Sequence, residues 1–218
     1  MTVAFGVVAH TARQEQAARL ALSLPAAPWP PLVCVDDGTL GPVANHRRVW
    51  AGLDRLSTDW VCVLEDDARP VDGFAEQLHA ALAVAASPVV SLYLGTGRPP
   101  SVQAQVRRAL GHAERAGACW VTAPRMLHAV GICLRSNLVA DMLAATGHLP
   151  PRIPADQRWD RWLTRRRLPV AYAVPSLVDH ADTPTLIQHP DRQPRTEPRR
   201  AWRTGTRTQW TRAAVHLT

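Results

Sequence analysis

Apolar and polar positions along the chain alternate between two periods. Short apolar runs at VAFGVVA (3–9), PLVCVDDG (31–38), DWVCVLEDD (59–67) and PVVSLYLG (88–95) have the length and β-branched content of buried strands. Between them lie stretches with helical spacing. RQEQAARLALSL (13–24) is stopped by Pro25. PVANHRRVWAGLDRL (42–56) has Val43, Val49, Trp50, Leu53 and Leu56 as its expected inner face. VDGFAEQLHAALAVAA (71–86) is the third. Strand and helix in strict alternation predict an α/β fold built on a mostly parallel sheet with crossover helices. The second half is less regular. Residues 98–117 read as a polar helix or a mobile loop, 118–123 and 128–136 as strands, 137–147 and 155–167 as helices, and 169–182 as a strand that becomes a loop. Beyond residue 183 periodicity fades into Pro, Arg, Thr and Gln, as in a tail that is disordered or laid over the surface. The expected organisation is one domain over 1–183, with a ligand-binding half (1–95) and an acceptor half (96–183), followed by a basic tail (184–218).

Two of the first three strands end in acid, VDDG and LEDDA. In open α/β sheets ligands gather outside the carboxyl ends of strands. Glu65, Asp66 and Asp67 repel one another unless a cation lies among them. Mg²⁺ or Mn²⁺ suits such a group, since these ions take one or two carboxylates together with substrate phosphates. The plainer alternative is a solvated acidic turn or a helix cap. Asp36 and Asp37 can accept hydrogen bonds from a base or a ribose, or simply form an Asx-turn in DDG. His10, Thr11 and Arg13 follow the first strand and are placed to hold a base or a pyrophosphate, with Thr11 as a helix N-cap as the alternative. Asn45, His46 and Arg47 open the second helix, where Arg47 is expected to pair with a phosphate or with Asp66, or to make a surface ion pair. Asp156, at the start of a late helix, either caps it or serves as general base. Trp159 and Trp162, three apart, stack on a ligand or pack in the core. There is no G-x-G-x-x-G after the first strand and no G-x-x-x-x-G-K-[ST], which removes dinucleotide and P-loop sites.

The segment GPVANHRRVWAGLDRLSTDW followed by VCVLEDDARPVDGF resembles glycosyltransferase family 25 and related small GT-A enzymes. LVCVDDGTLG is similar to the second strand of family 2 transferases. The likeness covers mainly residues 3–95. It implies a GT-A-like, Rossmann-related fold and transfer of a sugar from a nucleotide sugar, a UDP-sugar first among them. It makes Asp67 the direct ligand of Mn²⁺ or Mg²⁺, Glu65 a contact to the donor ribose or a metal-bound water, and Asp66 a residue that orients a basic neighbour. It also implies that a late histidine, His180 or secondarily His189, completes the metal shell, and that Asp156 is the base if the reaction inverts. Glu instead of Asp at the first acidic position departs from the pattern.

Composition narrows the partners. The chain has 218 residues, 46% hydrophobic and 20% charged, with formal net charge +7. That is a globular chain with a preference for anionic partners. Trp202 and Trp210 interleave with arginine in the tail, a pattern suited to nucleic acid. A hydroxymethylated pyrimidine in DNA, as in bacteriophage DNA glycosylation, is therefore one expected acceptor. A cell-surface saccharide is the other, and a non-catalytic nucleic-acid-binding protein is the rival reading. The four cysteines lie far apart in apolar stretches and are expected as buried thiols. No apolar run spans a bilayer and no secretory signal is visible, so a cytoplasmic location is expected.

Overall fold

Side-chain alternation in the strands sets the two layers of the fold. In the computed structural model, which describes residues 1–97, 99–184, 186 and 198–218, strand β1 (Val3–His10) sends Ala4 and Val8 to one face of the sheet and Val3, Phe5, Val7 and Ala9 to the other. Strand β3 (Trp60–Glu65) does the same, with Val61 and Val63 opposite Trp60, Cys62 and Leu64. Both faces are buried, so the strands read as continuous apolar runs rather than as half-polar ones.

The sheet has eight strands, built from β1, β2 (Leu32–Asp36), β3, β5 (Val89–Ser91), β6 (Trp120–Ala123), β7 (Gly131–Arg135), β8 (Val170–Ala173) and β10 (Ala214–His216). Their order is β10-β6-β8-β5-β7-β3-β1-β2. Pairs β1–β2, β1–β3, β5–β8 and β6–β10 are parallel, and β7 runs antiparallel between β3 and β5. The result is a mixed, mostly parallel sheet. A separate antiparallel ribbon joins β4 (Ala68–Pro70) to β9 (Val178–His180). Helices α1 (Gln14–Ser23) and α3 (Phe74–Ala83) cover one face. Helices α2 (Pro42–Leu53), α4 (Pro100–Arg115), α5 (Val139–Gly147) and α6 (Ala155–Arg166) cover the other. The alternation expected for residues 3–95 holds, and residues 100–115 form a helix rather than a loop.

Two expectations give way. Residues 178–180 pair with 68–70 instead of forming a loop. The end of the basic tail is a strand of the main sheet, because β10 extends it beyond β6. Trp210 is buried against Trp120, with ring centroids 5.4 Å apart, and its Nε1 donates to Gln77. The Arg207 guanidinium donates to the carbonyls of Gly117, Ala118 and Val174. Arg207 and Trp210, part of the pattern that suggested nucleic acid, are here spent on satisfying backbone and filling the core, while Arg200, Arg203 and Arg212 stay exposed. No helix among the described residues is long and apolar enough to cross a membrane. All four cysteines are buried free thiols.

Helix α2 lies close on β1 because Gly6 has no side chain. A Cβ there would lie 2.3 Å from Val49 Cγ1 and 2.7 Å from Leu53 Cδ1, both fully buried. Gly6→Ala is expected to lose about 1–3 kcal/mol of stability through overpacking, read as a lower urea midpoint with an unchanged slope. An unchanged midpoint would show that the helix is free to shift.

Candidate functional site

The site is built where β1 and β3 end side by side. Val8 is paired with Glu65, and the ladder runs one step further as the Asp66 N–H donates to the Val8 carbonyl at 3.0 Å. The turn after β3 therefore faces the 3-10 turn of Thr11–Arg13 that follows β1. Asp66 Oδ2 accepts the His10 N–H at 2.9 Å, and Oδ1 accepts Arg13 Nη1 at 3.0 Å. The same Nη1 donates to Asp67 Oδ2 at 2.5 Å, and Nη2 donates to the Pro184 carbonyl at 2.5 Å. The β4–β9 ribbon sets Ala68 against His180, bringing His180 Nε2 to 3.4 Å from Asp67 Oδ2. His180 Nδ1 accepts the Asp182 N–H at 2.9 Å, so the proton of the neutral ring lies on Nε2 and faces Asp67. Arg199 joins from the returning chain. Its N–H donates to Asp182, its guanidinium donates to the Thr183 carbonyl, and its charge acts on both Glu65 and Asp67.

Glu65 points the other way. It lies on the face of Val61 and Val63, under α2, with Oε1 at 3.4 Å from His46 Nε2. Asn45 holds that helix in place by donating Nδ2 to the Ala9 and Cys34 carbonyls, both at 2.9 Å. These bonds tie α2 to the ends of β1 and β2. The edge of Trp159 packs on His46 at 5.2 Å between centroids, and Trp50 lies on the same indole. Trp159 and Trp162 are buried core residues, and Trp162 donates to Asp141. Asp156, at the start of α6, caps its own helix through the Gln157 N–H at 2.8 Å and lies within electrostatic reach of Glu65 and His46. His128 and Tyr93 close the cluster, with ring centroids 5.0 Å apart.

The carboxylates are not equivalent. Burial pushes Asp67 up to about 6, the charge of Glu65 adds to this, and Arg13 opposes it. Burial also raises Asp66, against the His10 N–H and Arg13. Burial acts on Glu65 in the same direction, but the hydrogen bond and charge of His46 outweigh it and hold the group below its ordinary value. Glu65 is thus ionised, and its side chain is 32% exposed against 8% and 4% for Asp66 and Asp67. Asp156 is raised, first by burial and further by Glu65. Burial lowers His128 to about 4.

Of the residues singled out from sequence, Arg13, Asp66, Asp67 and His180 meet directly. Glu65 stands beside them, His10 joins through its backbone, and Asp156 lies across from Glu65. Four others stay apart. Both oxygens of Asp36 are taken by the N–H groups of Gly38, Leu40 and Gly41, so it shapes its own turn. Asp37 is exposed and bonds Thr39. Thr11 is exposed, and the cap of the 3-10 turn is His10, whose Nδ1 accepts the Ala12 N–H. Arg47 donates to the Leu143 carbonyl at 2.8 Å, tying α2 to α5 instead of meeting a phosphate or Asp66. His189 lies outside the described residues. Sequence reasoning passed over Arg199, His128 and Tyr93, which reach the cluster from distant segments and leave no periodic signal. Asn45 and His46, expected to open the polar face of the second helix, are instead buried.

The expected Mn²⁺ or Mg²⁺ can be tested against these donors. Both Asp66 oxygens are committed, Asp67 Oδ2 is shared by Arg13 and His180, and His180 Nε2 carries a proton. What is left is Asp67 Oδ1, which is buried without a partner among the described residues, and Glu65. No group of three His, Cys, Asp or Glu side chains among the described residues is arranged to hold an ion. The arrangement does not fit a resident divalent ion, because a guanidinium stands in its place. No protein-family model matches the chain, and no curated protein matches it significantly.

The raised Asp67 fixes a pH effect. Between its ordinary 3.8 and about 6 the folded protein binds more protons than the unfolded chain, so stability falls as pH rises through that window. The loss amounts to roughly 3 kcal/mol. Asp67→Asn is expected to remove it, so the melting temperature of the variant relative to wild type climbs from pH 4 to pH 7. Parallel curves would contradict this assignment.

Proposed function

We propose that the protein is a glycosyltransferase of GT-A-like fold that binds a nucleotide sugar, a UDP-sugar first among them, outside the carboxyl ends of β1 and β3 and moves the sugar to an acceptor hydroxyl. The observation that carries this reading is Glu65, an ionised carboxylate one-third exposed at the end of a central strand and held beside His46. Asp156 on α6 lies within its electrostatic reach and has a raised proton affinity. The order of VDDG, the Asn-His-Arg helix and LEDDA supports the same reading by resemblance.

The roles follow from the environments. Glu65, kept charged by His46, accepts hydrogen bonds from donor hydroxyls. Asp156, made more basic by burial, takes the proton of the acceptor hydroxyl as its oxygen attacks the anomeric carbon and the nucleoside diphosphate departs, in an inverting reaction. In this reading Arg199, whose charge acts on both Glu65 and Asp67, supplies positive charge for the departing phosphates. The acceptor is anionic in this reading. Arg161, Arg165 and Arg166 are exposed on α6, the helix whose first turn carries Asp156, and the net charge is +7. A hydroxymethylated base in DNA fits that surface by phosphate neutralisation.

A panel of nucleotide sugars tests the proposal by thermal shift and by slow donor hydrolysis. One donor is expected to stabilise the protein by mass action. Asp156→Asn should keep that stabilisation and lose about 10²–10⁴-fold in turnover. Glu65→Gln should weaken the stabilisation itself. A protein that no nucleotide sugar stabilises, yet that still retains DNA, would be a binding protein and not a transferase.

A further inference from the structure

Two adjacent buried aspartates need a positive charge close by, and in most acidic turns of this kind an external ion is the obvious source. Here the charge is internal. Arg13 Nη1 lies 3.0 Å from Asp66 Oδ1 and 2.5 Å from Asp67 Oδ2, at the point where an ion shared by those two oxygens would have to sit. Mg²⁺ or Ca²⁺ contacts carboxylate oxygens at roughly 2.0–2.6 Å, so the ion and the guanidinium nitrogen exclude each other. The second nitrogen, Nη2, is fixed by the Pro184 carbonyl, and the Arg13 side chain is 11% exposed. It is therefore anchored at both ends. One further feature points to a cation: Asp67 Oδ1 is buried in a residue that is 4% exposed and has no partner among the described residues.

We infer that Arg13 is the resident cation of the Asp66–Asp67 pair, that the native protein holds no divalent ion there, and that the pair becomes a Mn²⁺ or Mg²⁺ site only when the guanidinium is removed. Loss of Arg13 frees Asp66 Oδ1, Asp67 Oδ2 and the Pro184 carbonyl, and gives the orphaned Asp67 Oδ1 a possible partner. All four are hard oxygen donors of the kind these ions prefer. His180 keeps its Nε2 turned to Asp67, 3.4 Å from Oδ2, and is not a ligand. The inference concerns the same acidic turn as the transfer reading but does not depend on it.

The test uses Mn²⁺ alone on the full chain, with binding read by loss of the free-ion electron paramagnetic resonance signal and folding read by circular dichroism. Wild type and Arg13→Lys are expected to retain no Mn²⁺ at Asp67 and to melt at the same temperature with and without it. Arg13→Ala is expected to retain one equivalent and to melt higher as Mn²⁺ is added. If that variant is unfolded alone, Mn²⁺ is expected to restore its fold. Adding Asp67→Asn to Arg13→Ala should abolish both effects. Mn²⁺ retained by wild type and lost in Asp67→Asn overturns the inference, as does an Arg13→Ala protein that neither binds Mn²⁺ nor is stabilised by it. Because no sugar donor enters this experiment, failure of the donor panel and failure here are separate results.

Discussion

The guanidinium of Arg13 between Asp66 and Asp67 is the contact on which the rest of the site depends. Two carboxylates with 8% and 4% of their side chains exposed cannot stay charged without a partner that is itself well held. Arg13 comes from the turn after β1 and the aspartates from the turn after β3, so the ion pairs bridge two strand ends that are neighbours only because the strands are paired. Through the Pro184 carbonyl the same side chain also holds the segment that follows β9. One residue thus fixes the relative position of three loops, which a bidentate, rigid guanidinium does better than an ammonium.

This arrangement divides the acidic triplet. Asp66 and Asp67 turn inward and are consumed by structure, while Glu65 is the member left facing solvent. Its charge is secured by His46, and His46 is secured by Trp159 and by the anchoring of α2 through Asn45. The chain of supports runs from backbone carbonyls at the ends of β1 and β2, through one buried helix, to a single carboxylate. A carboxylate placed in this way is preorganised by packed elements and not by its own loop. Asp156 reaches the same place from α6, which packs on the same face of the sheet.

The basic character of the chain takes on a different meaning once the C-terminal residues are placed. Arg207 caps carbonyls, and Arg107 lies over Trp202 at 5.1 Å from the ring centroid. Trp202 donates to Gln103, and Trp210 fills the core beside Trp120. Interleaved arginine and tryptophan in a sequence is compatible with nucleic acid, but the same pairing closes an internal seam. Exposed arginines lie along α6, at Arg161, Arg165 and Arg166, and also elsewhere, as at Arg107, Arg108, Arg203 and Arg212.

Local order was legible in the chain and long-range closure was not. Apolar runs buried on both faces and helical spacing between them fixed the first three strands, helices α1 to α3 and the acidic strand ends, because those signals come from periodicity within ten or so residues. Placement of β7 antiparallel between β3 and β5, the β4–β9 ribbon and the capture of β10 at the sheet edge have no local signature, since each depends on which backbone groups remain unpaired after the core has closed. The site shows the same division. That Glu65, Asp66 and Asp67 end a buried strand, and so need either a cation or solvent, follows from the sequence alone. That the cation is Arg13, that His180 faces Asp67 with its proton, and that Asp36 and Arg47 are spent on their own surroundings were decided by tertiary packing. Only packing determines which hydrogen-bond partners lie within 3 Å of a buried charge.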